Sequence, residues 1–280
     1  MSCAQRHGKQ TQTPIVTVNG TELYHELRGD GPPVMFIMGA SGDGGHFERV
    51  ADLLSDEFTV VTYDRRGNGR SPRPAGWETT SPEEADDAAA LRDALGLAPA
   101  AVFGTSSGGL FALCLLIRHP KAVLGAILHE PALFSLFDDP EEARSTVGAV
   151  VREGMDSGGP PAALERFVRF VAGDANWDRL EPSLRGRMLA SAATYFGVEI
   201  GRFDTWLPAD EVLAAIAAPV QVLVSDDSHP FFEQAAGRLA DRLGVRTTRT
   251  PGTHFPYLDH PQQLAQTIRP FLRELSGDSA

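Results

Sequence analysis

The chain has 280 residues, 42% of them hydrophobic and 22% charged, which suits one large α/β core carrying an insertion. Lys and Arg number 25 against 37 Asp and Glu, a net charge of −12 that repels nucleic-acid phosphate and anionic membrane surfaces alike, so neither is an expected partner. No run approaches the roughly 18 consecutive apolar residues a membrane span needs.

The opening stretch MSCAQRHGKQTQTP contains no apolar signal core, and residues 1–12 read as a disordered leader of a cytoplasmic protein. Apolar runs of strand type follow at PIVTV and ELYHEL, joined by the turn signal NGT, so the sheet is expected to begin with an antiparallel hairpin. From residue 33 the runs VMFIMG, FTVVTYD, AAVFGTS, LGAILHE, VQVLVS and VRTTRT are separated by segments of helical period such as HFERVADLLSD and SPEEADDAAALRDALG. That alternation predicts repeated βα units and a mainly parallel sheet. It breaks over residues 132–210, where Gly, Pro and charged residues punctuate short amphipathic segments. This reads as a helical insertion over the sheet, dividing a core of 1–131 and 211–280 from a cap. The closing RELSGDSA reads as a fraying tail. Cys3 and Cys114 are the two cysteines; they can form no disulfide framework and lack metal-site spacing, so both read as inert thiols.

The stretch Gly104-Thr105-Ser106-Ser107-Gly108 places G-x-S-x-G between a predicted strand and a predicted helix. A sharp turn there strains its middle residue, and flanking glycines remove the Cβ atoms that would clash. Ser106 is lifted above the sheet as a nucleophile. Ser107 opens the helix, so its backbone N–H can face a developing oxyanion with the helix dipole behind it.

Four blocks, FIMGASGDGGHF, YDRRGNGRS, GTSSGG and PGTHFPYLDHP, occur in the order found in α/β-hydrolase-fold proteins, which the chain resembles over nearly its whole length. The resemblance implies the α/β-hydrolase fold, a mainly parallel eight-stranded sheet flanked by helices with a helical cap. The glycines and Asp64 of YDRRGNGRS suit a tight hydrogen-bonded loop.

A serine hydroxyl needs a base, which usually means histidine. Of eight histidines, His254 in TPGTHF occupies the position where the family's base resides. His7, His25, His119, His229 and His260 read as surface or capping residues, and His46 sits beside the presumed oxyanion loop. The base in turn needs an acid. The family's usual place lies after VQVLVS, where Asp227 is available. A second arrangement puts the acid after the preceding strand at Glu130, 24 residues beyond Ser106. That spacing resembles glutamate-type haloalkane dehalogenases and zearalenone lactonases, the latter sharing the Ser-Ser pair and the His-Glu strand end. Glu130 is preferred, with Asp227 as the alternative.

The same resemblance places the second oxyanion donor at Gly39-Ala40. Met38 stands where the family commonly has His, so the side-chain bond that would brace this loop is expected to be missing. With Ser rather than Asp at the elbow, attack on a carbonyl is favoured over displacement at an alkyl halide or epoxide. Hydrolysis of an apolar small-molecule ester or lactone through an acyl-enzyme is the leading expectation. Perhydrolysis, C–C bond hydrolysis and a small-molecule receptor are the alternatives. No metal or cofactor is implied, and oligomeric state is left open. His46, Phe134, Trp177, Tyr195, Phe196 and Trp206 are the candidates for lining the substrate pocket.

Overall fold

The computed structural model describes residues 14–73, 76–97, 99–203 and 206–277, and the expected leader lies outside them. Strands β1 (Ile15–Val18) and β2 (Thr21–Arg28) form the hairpin expected from NGT. Asn19 and Gly20 adopt φ of 45° and 74°, the paired positive values that a two-residue turn of matching twist requires. β3 (Pro33–Ile37), β4 (Thr59–Tyr63), β5 (Ala100–Thr105), β6 (Val123–His129), β7 (Val220–Ser225) and β8 (Thr247–Thr250) complete one eight-stranded sheet in the order β1-β2-β4-β3-β5-β6-β7-β8. β2 pairs antiparallel with β4, and every pairing beyond β4 is parallel.

Both faces of the central strands are buried, which is why these runs read as continuously apolar. Successive side chains go to opposite sides: Met35, Ile37, Val61 and Val102 join one hydrophobic cluster, while Val34, Phe36, Val60, Ala101 and Phe103 join the other. Helices α1 (Glu48–Leu54), α2 (Ser81–Ala94) and α3 (Ser107–Arg118) connect the first parallel strands. α2 and α3 cover the first cluster and α1 the second. Cys114 lies buried in α3, and burial pushes its thiol up to about 12.

Between β6 and β7 the chain runs through α4 (Pro140–Ala172), α5 (Asp174–Arg179), α6 (Pro182–Ala190), α7 (Ala192–Thr194), a π turn over Tyr195–Glu199, α8 (Ile200–Phe203) and α9 (Asp210–Ala214). α4 is two helices joined by a kink at Gly158 and Gly159, followed directly by Pro160 and Pro161. Proline lacks the N–H that would continue the ladder, and its ring clashes with the preceding turn. α10 (Pro230–Leu243) precedes β8, and α11 (Pro256–Asp259) and α12 (Pro261–Ser276) close the chain.

The fraying tail expected at RELSGDSA is corrected by α12, which continues to Ser276. Its apolar stripe Leu264, Ile268 and Leu272 is buried, and Arg273 pairs with Glu57. Asp278 to Ala280 lie outside the described residues. No described helix is long and apolar enough to cross a membrane.

Candidate active site

Ser106, Glu130 and His254 each follow the C-terminal end of a parallel strand, β5, β6 and β8 respectively. In an open α/β sheet that edge is where loops can converge. Ser106 adopts φ 56° and ψ −124° at the start of α3, outside the regions a residue with a Cβ prefers. The strain is held by the backbone: Ser106 N donates to His129 O at 3.0 Å, and Ala132 N donates to Ser106 O at 3.1 Å. Close packing completes the turn. A Cβ on Gly108 would fall 2.1 Å from Ile37 O, and one on Gly39 would fall 2.8 Å from the Ser106 Cβ. Ser106 itself is only partly buried.

Glu130 is the first residue past β6, also at positive φ, 42°, and its side chain is fully buried. Oε1 accepts from Ser225 N at 2.8 Å, and Oε2 lies 2.5 Å from Nδ1 of His254. Burial works against the charged carboxyl, but His129, His254 and the Ser225 N–H outweigh it and bring the group down to about 2. An ionised carboxylate only accepts hydrogen bonds, so Nδ1 of His254 is the donor and Nε2 is left as the basic nitrogen.

His129 takes no such role. Its Nδ1 contacts Thr105 Oγ1 at 2.7 Å and its Nε2 contacts Ser225 Oγ at 3.0 Å. Burial lowers it to about 4. Asp227, by contrast, is exposed in the loop after β7.

The His254 loop is held from several sides. Phe232 stacks on the imidazole at 4.0 Å with an interplanar angle of 10°. Asp259 Oδ2 accepts from Thr253 N at 3.0 Å, and Asn176 of α5 donates to Thr253 Oγ1 at 2.6 Å. Neither Asp259 nor Asn176 carries a sequence signal for this bracing.

The loop after β3 corrects one expectation. Its brace is present, supplied by Arg65 from YDRRGNGRS: Nε donates to Met38 O at 3.0 Å and Nη2 to Gly39 O at 3.1 Å. Asp64 of the same block accepts from Gly44 N at 2.8 Å and Arg70 N at 2.7 Å, as its loop pattern suggested.

Ser106, Ser107 and Ala40 share a cavity with Ala132, Phe134, Phe137, Val147, Phe167, Phe170, Val171, Tyr195, Ile200, His229, Phe231 and Phe232. As the first residue of α3, Ser107 has an N–H without an intrahelical acceptor. None of the described lining residues is Asp, Glu, Lys or Arg.

Of the sequence candidates for lining, Phe134 and Tyr195 are brought together here. His46, Trp177, Phe196 and Trp206 are not, and these are corrected. The turn Gly44–Phe47 is capped by Asp43, which holds the His46 ring 1% exposed, with Asp43 N donating to Nδ1 at 3.2 Å. Trp177 is 2% exposed inside the second cluster, with Arg185 and Arg169 over its ring at 5.3 and 5.8 Å. Phe196 turns against Tyr195 at 5.0 Å, and Trp206 packs onto the first cluster.

His229, read from sequence as a helix cap, both caps α10 and lines the cavity. Burial, with the nearby His254, lowers its imidazole below the ordinary histidine value. Among the described residues no group of three His, Cys, Asp or Glu could hold a metal ion.

The model of the family described as alpha/beta hydrolase fold matches residues 32–261. The chain is similar to a hydrolase, YraK, from Bacillus subtilis, 28% identical with 92% of this chain and 94% of that protein covered. It is similar to a zearalenone hydrolase from Cladophialophora bantiana, 26% identical over 93% of this chain and 96% of that one. Among solved structures, a thermophilic esterase from Thermogutta terrifontis superposes with a TM-score of 0.76 at 24% identity, covering 94% of this chain and 97% of the other.

Proposed function

Because the chain belongs to the α/β-hydrolase fold family, we propose that it is a serine hydrolase cleaving an uncharged, apolar carboxylic ester or lactone through an acyl-enzyme on Ser106. The observation that carries this reading is the pairing of a strained serine at the strand-to-helix turn with a buried Glu130–His254 contact of 2.5 Å at the same sheet edge.

In this mechanism Nε2 of His254 takes the proton of Ser106 Oγ as the oxygen attacks the substrate carbonyl. Glu130 holds the imidazole in the tautomer that leaves Nε2 basic, and stabilises the imidazolium once formed. The N–H groups of Ser107 and of the Gly39-Ala40 loop receive the tetrahedral oxyanion. His254 then returns the proton to the departing alkoxide, which for a lactone stays tethered to the acyl group. Water activated by the same nitrogen attacks the acyl-enzyme and restores Ser106.

In this reading the 132–210 segment is a cap, and its Phe134, Phe167, Phe170 and Tyr195 line the cavity that Ser106 shares. This lining suits apolar acyl groups, and among the described residues it offers no Lys or Arg to a substrate carboxylate. Relatives named as zearalenone hydrolases support ester or lactone chemistry. The test is turnover of a p-nitrophenyl ester panel of rising acyl length by wild type and Ser106→Ala. The proposal expects turnover by wild type alone. Comparable hydrolysis by a folded Ser106→Ala overturns it.

A further inference from the structure

Arg65 is fully buried between the loop after β3 and the π turn that precedes α8, and its guanidinium is the only described side chain shown bonding the Met38 and Gly39 carbonyls. We propose that Arg65 is a positioning residue that fixes the oxyanion loop and ties it, through Glu199, to the wall of the substrate cavity. The inference rests on the acyl-enzyme reading above.

The geometry is a fork used on both edges. Nε and Nη2 donate to Met38 O and Gly39 O, while Nη2 and Nη1 donate to the two carboxylate oxygens of Glu199, both at 3.1 Å. Nη1 also donates to Glu84 Oε1 at 3.0 Å, and the cation lies 5.1 Å from the Phe111 ring. Only the planar, five-donor guanidinium reaches carbonyls on one side and a carboxylate pair on the other; a lysine ammonium is a single point.

Both ends of this fork hold residues that adjoin the cavity lining. Gly39 sits so close to the elbow that a Cβ there would meet Ser106 at 2.8 Å, so a shift of its carbonyl shifts the neighbouring peptide N–H that the oxyanion needs. Glu199 closes the π turn, whose first residue, Tyr195, lines the cavity, as does Ile200 directly after it. π turns interrupt a regular helix and are frequent at functional sites.

Glu199 is fixed a second time by Asn68 Nδ2, which donates to Oε1 at 2.6 Å. Glu84 accepts from Thr79 Oγ1 at 2.9 Å, its Oε2 has no partner, and burial chiefly pushes its carboxyl up to about 7. Glu199 meets the cation through both carboxylate oxygens, Glu84 through Oε1 alone. Whatever fills the cavity beside Tyr195 therefore bears on the loop that must hold the oxyanion.

The test compares wild type, Arg65→Lys, Glu199→Gln and Ser106→Ala on p-nitrophenyl butyrate and octanoate, with kcat per active site titrated from the first-turnover burst and Tm recorded. Loss of one oxyanion donor typically costs about 100- to 1000-fold, and a misplaced one costs less. Arg65→Lys and Glu199→Gln are expected to lower kcat at least about tenfold on both esters, with KM within about threefold of wild type. A residue that only supports folding would reduce titratable sites or Tm and leave kcat per site unchanged. That result in both variants overturns the proposal. If Arg65→Lys yields no folded protein, Glu199→Gln, which keeps size and hydrogen-bonding shape, decides alone. Wild-type turnover by Ser106→Ala would overturn the acyl-enzyme reading itself, an outcome distinct from unchanged kcat in the Arg65 and Glu199 variants.

Discussion

Nδ1 of His254 lies 2.5 Å from Oε2 of Glu130, a carboxylate just past the strand that follows the Ser106 turn rather than past the strand after that. The carboxylate's other oxygen is occupied by Ser225 N, so the pair is aligned from both ends. Glu130→Gln should lower kcat by up to about 10,000-fold, the cost of removing an acid that sets a histidine tautomer. Asp227→Asn, at an exposed position, should leave kcat within about twofold. Steady-state kinetics of the two variants checks this, and the reverse pattern would move the acid to Asp227.

Among the described residues that line the cavity there is no cation to meet an anionic substrate. Burying an unpaired carboxylate costs several kcal/mol, so a negatively charged ester should suffer against a neutral one of equal size. The p-nitrophenyl monoester of succinic acid is expected to show kcat/KM at least about 100-fold below p-nitrophenyl pentanoate. Equal values would mean that an anion finds a partner in the site.

The Gly39 position is sensitive to a single methyl group. A Cβ there would lie 2.8 Å from the Ser106 Cβ and 2.9 Å from Thr105 O, both fixed by the turn. Gly39→Ala should cut kcat by about 100-fold or more, the scale of losing an oxyanion donor. Thermal unfolding should shift by only a few degrees. Full activity would show that the loop relaxes without consequence.

Two buried groups give opposing pH slopes. Glu84 is raised, chiefly by burial, from 4.5 to about 7. Between those values the folded chain holds a proton that the unfolded chain has released, and stability falls as pH rises. His129 is lowered by burial from 6.5 to about 4. There the unfolded chain binds the proton first, so stability rises with pH over that window. Glu84→Gln removes the first slope only. Urea unfolding at pH 5 and pH 7 should show the variant gaining on wild type as pH rises, by up to about 3 kcal/mol for the full displacement. A difference that does not change with pH contradicts the assignment of a buried, proton-holding Glu84.

Much of the fold and the sharp turn at Ser106 were legible because their signals are local. NGT specifies its hairpin through two residues that accept positive φ, and GTSSGG specifies a turn through glycines within five positions of the serine. The Glu130 position needed the spacing of related enzymes, since an acidic residue at a strand end carries no partner in its own neighbourhood. The brace from Arg65 was hidden because its acceptors are carbonyls 26 and 27 residues away in sequence. Carbonyls belong to every residue and leave no side-chain pattern.

The aromatics between β6 and β7 were misjudged in part for a related reason. α4 breaks at Gly158 and Gly159, and the short helices after it follow no single period that says which face is inward. Trp177 went to the core and Tyr195 to the cavity on tertiary packing alone. His229 was readable as a helix cap but not as a cavity wall, because one ring serves both.

The central claim is that Ser106 is an activated nucleophile. Intact-protein mass after treatment with a fluorophosphonate tests it most directly, followed by peptide mapping. The account predicts one adduct per chain, on Ser106, absent in Ser106→Ala and strongly slowed in His254→Ala. No adduct on folded wild-type protein, or an adduct that persists in Ser106→Ala, would contradict it.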